Sequence, residues 1–258
     1  MKKIVIIGAG NMATHLAEVF FSKGFVISQI YSRTQDNADI LANKVAAQAI
    51  CHISELENDA DLYLISVSDN AISDLVARIS FEPKLIAHTA GSIQISTLSK
   101  FKNYGVFYPL QTFTKGRVLD FKNIPICIEA NNESNKKKLQ DFAEKLSDNI
   151  QILSSEQRKQ CHLAAVIANN FTNHFYTIAK QILDEKNIAF EIIKPLILET
   201  AKKVQELSPG EAQTGPAVRN NLQVIDEHKK QLSSPELEKL YSFVSQSIID
   251  LHKKSSQG

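Results

Sequence analysis

The chain opens on Lys2-Lys3-Ile4-Val5-Ile6-Ile7 and runs straight into Gly8-Ala9-Gly10-Asn11-Met12-Ala13. A continuous β-branched run suits a strand buried on both faces of a parallel sheet. Gly8 permits a tight turn out of that strand. Gly10 has no side chain, so a pyrophosphate can approach the backbone, and Ala13 is small enough to keep the next helix against the strand. That helix is predicted over Asn11 to Lys23, with an apolar stripe of Met12, Leu16, Val19 and Phe20 and an end before Gly24. Its N-terminus would aim unpaired N–H groups and the positive end of the helix dipole at an anion. A bare glycine turn carries little information. One that follows a strand and precedes a helix and a second strand predicts a dinucleotide site formed by Gly8, Ala9, Gly10, Asn11, Met12 and Ala13.

The second strand, Phe25 to Tyr31, leads to Ser32-Arg33-Thr34. A site selective for NAD usually places Asp or Glu at this strand's end to bond the ribose 2′-hydroxyl. No acid stands there, and Asp36 comes too late. Two hydroxyls and a guanidinium suit a 2′-phosphate instead, which predicts NADP, with NADPH preferred over NADH. The plainer alternative is that Arg33 is an ordinary exposed loop residue.

The formal net charge of +1 across 258 residues leaves no basic field for nucleic acid and no polybasic segment for a membrane surface. With 43% hydrophobic and 22% charged residues the composition is that of a globular protein of one large or two modest domains. Cys51, Cys127 and Cys161 are odd in number, widely spaced and without Cys-x-x-Cys. They read as reduced thiols of a cytoplasmic protein. A strand starting at residue 2 leaves no room for a signal peptide, and no apolar stretch is long enough to span a bilayer. Lys253 to Gly258 are expected to fray.

Strand-period and helix-period segments alternate through the first half. Strands are predicted at Gln48 to Cys51, Ala60 to Val67, Lys84 to His88, Val106 to Tyr108, Ile124 to Glu129 and Asn149 to Leu153. Helices are predicted at Asp36 to Ala46, Asn70 to Ile79 and Lys136 to Leu146. Such alternation means a Rossmann-type, doubly wound, mostly parallel sheet. After Ser154 only helical stretches remain, at about Glu156 to Lys186, Ala189 to Leu207, Pro216 to Gln231 and Pro235 to His252. The fold class is therefore α/β followed by an all-α region. The expected domains are 1–154, binding the cofactor, and 155–258, for substrate and dimerisation.

In an open α/β sheet, ligands sit beyond the carboxyl ends of the strands. Val67, Ser68 and Asp69 follow one strand and would meet the cofactor. His88-Thr89-Ala90-Gly91-Ser92 follows another, with Ala90 and Gly91 against the cofactor and Ser92 near the substrate. His88 has two readings, a satisfied structural group or a catalyst. Tyr108 to Phe113, with Gln111, would wall the substrate side or merely connect two strands.

Gln160 to Ala179 contains no Asp, Glu, Lys or Arg. Its His and Asn residues argue against a membrane helix, so it is expected to be buried between domains or subunits. The apolar stripe is Leu163, Ile167, Phe171, Phe175, Ile178 and Ile182. His162, Asn169, Asn173 and Tyr176 fall nearly opposite. An uncharged polar face suits a cleft that receives a polar substrate, or equally a polar dimer interface. Gln213 to Arg219 reads as a glycine turn entering a helix with Pro216 in its first turn. Arg219 there could hold a carboxylate or phosphate, or form an interdomain ion pair.

Together, Gly8 to Ala13, Ser66-Val67-Ser68-Asp69, His88 to Ser92, Tyr108 to Phe113, His162 to Phe171 and Thr214-Gly215-Pro216 resemble a family of NADP oxidoreductases. That family joins a Rossmann-like domain to a helical domain of unknown function. The chain is more distantly similar to pyrroline-5-carboxylate reductase and the 6-phosphogluconate dehydrogenase-like superfamily. The resemblance spans nearly the whole chain and implies the fold and the cofactor. It departs in two places. Hydroxyacid dehydrogenases of that superfamily carry Lys-x-x-x-Asn on the long helix; here Asn169 is present, with Ala165 where the lysine would be. Many relatives have Arg-Gly-Asp after the Gly-Pro pair; here it is Arg219-Asn220-Asn221.

The reading that follows is hydride transfer between NADP(H) and a small, anionic C=O or C=N substrate. Reduction of either bond places charge on the heteroatom, which needs a hydrogen-bond donor. His162 and His88 are the candidate donors, Asn169 and Ser92 orient the substrate, and Asn173, Gln111 and Arg219 bind it. No metal-ligand spacing, carboxylate pair or nucleophile elbow is present. The competing reading is a non-catalytic NADP-binding sensor or interaction protein. A homodimer through the helices is expected in either case.

Overall fold

The computed structural model describes residues 1–255. Eight strands form one sheet in the order β3-β2-β1-β4-β5-β6-β7-β8. They are β1 (Lys3–Ile7), β2 (Val26–Tyr31), β3 (Gln48–Ile50), β4 (Leu62–Ile65), β5 (Ile86–His88), β6 (Tyr104–Pro109), β7 (Ile126–Ala130) and β8 (Ile150–Ile152). All neighbours are parallel except β6 and β7. The chain winds outward from β1 through β2 and β3, then crosses back to β4 on the other side of β1. The strand order therefore reverses between β1 and β4, the place where an open α/β sheet leaves a crevice.

β1 explains why the sheet closes on both faces. Ile4, Val5, Ile6 and Ile7 are each 0% exposed. Ile4 and Ile6 join one apolar cluster, Val5 and Ile7 another, as the alternation of a strand demands. The first cluster is roofed by α1 (Asn11–Ser22), α2 (Gln35–Lys44) and α4 (Glu133–Ala143). Phe20 of α1 and Phe142 of α4 meet there with ring centroids 4.9 Å apart. The second cluster is roofed by α3 (Ile72–Arg78) and the turns that bury Ile53, Leu98 and Phe101.

The chain divides into two compact units, the first being Met1–Phe171 and the second starting at Thr172. The sequence placed the change at residue 154, and there the strands do end. Packing divides the chain later, because α5 (Ser155–Ala165) and the π-helical turn Val166–Phe171 stay with the sheet. The second unit holds α6 (Thr172–Asp184), α7 (Lys194–Glu206), the single turn α8 (Pro209–Ala212), α9 (Leu222–Lys229) and α10 (Pro235–Ser255). The helix expected from Pro216 to Gln231 forms only in its later part, as α9. Gly215 and Asn220 have φ of +113° and +49°, and α9 begins only after Asn221, whose side chain accepts from the Val224 N–H at 3.3 Å. Of the terminal residues expected to fray, the stretch to Ser255 continues α10 and 256–258 lie outside the described residues.

The charge-free stretch is not buried in the single chain. Leu163, Ile167 and Phe171 are each more than half exposed, and Phe175 is 41% exposed. No described helix is long and apolar enough to cross a membrane.

Candidate active site

Where β1 leaves the sheet, Gly8 has a φ of +132°. A Cβ placed there would lie 2.0 Å from the Ser66 carbonyl oxygen, so the turn crosses β4's end at backbone contact distance. Gly10 differs. It caps α1 in an extended conformation with no side-chain cap, and a Cβ on it would meet nothing within 4 Å. The first intrahelical bond is Thr14 N–H to Gly10 carbonyl at 2.9 Å. The N–H groups of Asn11, Met12 and Ala13 thus have no acceptor inside the helix, and no acid stands in the first turn. A small, uncapped turn that opens onto a cleft fits a pyrophosphate.

That cleft has a volume of about 1080 Å³. Gly8 to Met12 line it, as do Ser32, Arg33, Val67, Ser68, Asp69, Ala90, Gly91, Gln111, His162 and Asn169, all expected from the sequence. Their common origin is the carboxyl edge of the sheet, with α5 and the π turn opposite. No carboxylate from β2's end reaches the cleft; Asp36 sits exposed in the first turn of α2.

Other expected residues fall elsewhere. Ala13 is fully buried beneath the turn and supports it by packing. Thr34 stands outside the cleft lining, where its hydroxyl accepts from the Asn37 amide at 2.7 Å. Ser92 does not line the cleft; its hydroxyl is spent on the Asp69 carboxylate, which does. Asn173 and Arg219 belong to the second unit, and both are exposed.

His88 is a correction. It is 0% exposed and absent from the cleft wall. Burial, reinforced by the nearby Arg158 guanidinium, drives its pKa down to about 3. Its Nδ1 accepts from the Ala90 N–H at 3.2 Å, and its Nε2 meets no partner in hydrogen-bonding geometry. Sealed from the cleft, with Nδ1 held by the Ala90 N–H, it fits the structural reading, and burial favours its neutral form.

His162 is placed otherwise. The Tyr108 hydroxyl and His162 Nδ1 are 3.0 Å apart, with the rings edge to face. Burial pushes the Tyr108 phenol up to about 12, so it keeps its proton at neutral pH. Gly91 is the third partner. A Cβ there would lie 2.7 Å from His162 Nδ1 and 2.8 Å from Tyr108 Cζ, so only glycine lets strand, loop and helix converge.

The helical face expected to carry His162, Asn169, Asn173 and Tyr176 is broken by the π turn. The wider turn shifts the register, and Asn169 and Asn170 both line the cleft. Tyr108, Thr112 and Phe113 line it too, from the segment expected to wall the substrate side, whereas Asn170, Lys115 and Arg78 reach the wall without having been given a role. The loop after β6 is tied to α1. Asn11 Nδ2 donates to the Phe113 carbonyl at 3.0 Å, and His15 Nε2 lies 2.9 Å from the Thr114 carbonyl oxygen. A histidine one helical turn past Asn11 was the available signal, unreadable without knowing which loop crosses above it.

Known proteins share this fold. The family described as NADP oxidoreductase coenzyme F420-dependent matches residues 3–98, and the domain of unknown function DUF2520 matches residues 124–248. A putative NADP oxidoreductase from Bacteroides fragilis is 44% identical, covering 96% of this chain and 98% of its own, with a TM-score of 0.92. A reductive aminase from Aspergillus terreus, solved with NADPH and ethyl-5-oxohexanoate, has the same fold at 15% identity and a TM-score of 0.70, covering 97% of this chain and 94% of its own. So does 1-pyrroline-5-carboxylate reductase from Streptococcus pyogenes, at 17% identity and a TM-score of 0.60, covering 98% of each chain. No curated protein matches. The chain therefore belongs to the NADP oxidoreductase family that joins a Rossmann-type domain to DUF2520.

Proposed function

We propose that this oxidoreductase transfers a hydride between NADP(H) and a small C=O or C=N substrate. One observation carries the reading: the open glycine turn and the His162–Tyr108 pair line the same cleft. Gly8 to Met12 and Val67 to Asp69 would hold the pyrophosphate and ribose. Ser32 and Arg33 would hold a 2′-phosphate, which supports a preference for NADPH over NADH. Bound NADPH supplies the hydride.

The chain's own residues manage the proton. Tyr108 keeps its proton near neutral pH and can donate it in a hydrogen bond to His162 Nδ1. When Nδ1 accepts from Tyr108, the other ring nitrogen carries an N–H that can hydrogen-bond to the charge developing on the substrate oxygen or nitrogen; as that proton passes over, the Tyr108 proton follows onto Nδ1 and water restores the phenol. Asn169, Asn170, Gln111 and Thr112 would orient a polar substrate. Lys115 brings a cation to the wall, so anionic keto acids and cyclic imines are tried first.

The assay is NADPH oxidation with small keto acids, aldehydes and imines. Turnover with one class is expected, and His162→Gln should lower kcat by about 10²-fold or more while changing NADPH affinity by less than about threefold. Arg33→Ala should weaken NADPH by about tenfold and leave NADH nearly unchanged, roughly the loss of one charge-assisted contact. Calorimetry that detects neither coenzyme sinks the proposal.

Ala165 lines the cleft where the resemblance would place lysine, and this favours a second reading, an NADP-binding sensor. Tight NADPH binding without turnover on any substrate would select it. The exposed stripe from Leu163 to Ile182 supports a homodimer. Three unpaired cysteines suit a cytoplasmic setting.

A further inference from the structure

His162 lies one helical turn beyond Arg158, whose side chain is 1% exposed. Arg158 Nη1 pairs with Glu129 Oε2 of β7. Its Nη2 donates to the Ile93 carbonyl and, at 3.2 Å, to Ser155 Oγ. The Ser155 hydroxyl donates to Glu129 Oε2 at 2.7 Å and accepts from the Ile95 N–H at 3.0 Å. These bonds join the first turn of α5, the strand β7 and the segment just past Gly91. In the antiparallel pair, β7 sets Cys127 opposite Tyr108 and Glu129 opposite Val106. Two of the pieces so joined carry His162 and Gly91, and the third, β7, pairs with β6, which carries Tyr108.

A buried ion pair is a poor source of stability, because desolvating two charges offsets most of their attraction. Its effect here is directional: a planar guanidinium fixes the helix axis against a carboxylate, a hydroxyl and a backbone carbonyl at once. The clearance it serves is narrow, since Gly91 has no room for one methyl group. We propose that Arg158, Glu129 and Ser155 are positioning residues that hold His162 in register with Tyr108. The consequence for turnover rests on the function proposed above; the consequence for the histidine geometry does not.

The test uses the full chain and nitrogen NMR of its histidine rings, with His162→Gln assigning the signal. Glu129→Gln keeps the shape and removes the charge. It should move the His162 ring-nitrogen signals toward those of an imidazole released from Tyr108, and Arg158→Lys should restore them in part relative to Arg158→Met. On a substrate that turns over, Glu129→Gln should lower kcat by about 10- to 100-fold, with NADPH affinity within about twofold, as expected for misplacement of a reacting group. Unchanged His162 signals in a folded Glu129→Gln protein overturn the proposal, whatever the activity. Shifted signals in a chain that reduces nothing support the positioning role and count against the oxidoreductase reading alone. Glu129→Gln decides the matter even where Arg158→Met fails to fold.

Discussion

The two units bury their apolar side chains very differently. The sheet unit carries two large clusters, one on each face, built on strands whose residues are fully inaccessible. Beyond Thr172, the buried apolar residues among those described are Ala217, Ile225 and Ile249. Large side chains there stay outside: Leu196 is 66% exposed and Phe243 is 76% exposed. The sheet unit thus has a core of its own, whereas the helices have an apolar surface in search of cover. Binding geometry that must hold to a fraction of an ångström is built on the rigid part.

The sharpest way to break this contrast is to put a methyl group on each glycine of the opening turn. Gly8→Ala meets both a left-handed φ and the Ser66 carbonyl, and should cost about 3 kcal/mol or more of stability. Gly10→Ala points into open space, so it should cost no more than about 1 kcal/mol while weakening NADPH by about tenfold. Chemical denaturation and calorimetry read the two. Equal stabilities would mean that the β1–β4 crossing does not brace the sheet.

Next in size is Gly91→Ala, which drives a methyl group into His162 and Tyr108. Its kcat should fall by about 10²-fold, with little change in NADPH affinity. A fully active variant would show that the two rings move apart freely, against the rigidity assigned to this unit.

His88 tests the core beneath the site through pH. Its folded-state pKa is lowered from 6.5 to about 3, so the unfolded chain takes up a proton that the folded chain refuses. The stabilisation is complete above about pH 6.5 and is lost as pH falls toward 3. This one group should contribute a slope of about 1.4 kcal/mol per pH unit. His88→Leu should remove that component. Parallel stability-versus-pH curves for the two proteins would mean that His88 charges in the folded state.

The smallest effect is expected in the helices. Leu196→Ser should change stability by less than about 0.5 kcal/mol at dilutions where sedimentation shows single chains. Leu64→Ala, at 0% exposure in β4, should cost about 2–5 kcal/mol. Similar losses from the two would erase the distinction between the units.

Much of the sheet unit is legible residue by residue. Ile4 to Ile7 demand a strand covered on both sides, and Gly8 and Gly10 mark the tight turn that leaves it. All eight strands lie where alternation and β-branching put them, with ends displaced by a residue or two. The errors share one cause, which is that each needed knowledge of a neighbour distant in sequence. His88 ends a strand in either reading, and only its complete burial, with the charge of Arg158 nearby, favours the neutral form. The face through Asn173 and Tyr176 follows from a regular helix and fails because of one π turn. Arg158 went unread because Glu129, Ser155 and Ile93 close around it only in the fold.

Local chemistry along the chain was enough to determine the order of the strands' neighbours in sequence, the glycine turn and the cofactor class, since these depend on steric and hydrogen-bonding demands within a few residues. Tertiary structure alone decided which side chains face the cleft, which histidine holds a tyrosine and which is sealed away, because those outcomes depend on burial and on charges brought together across the fold.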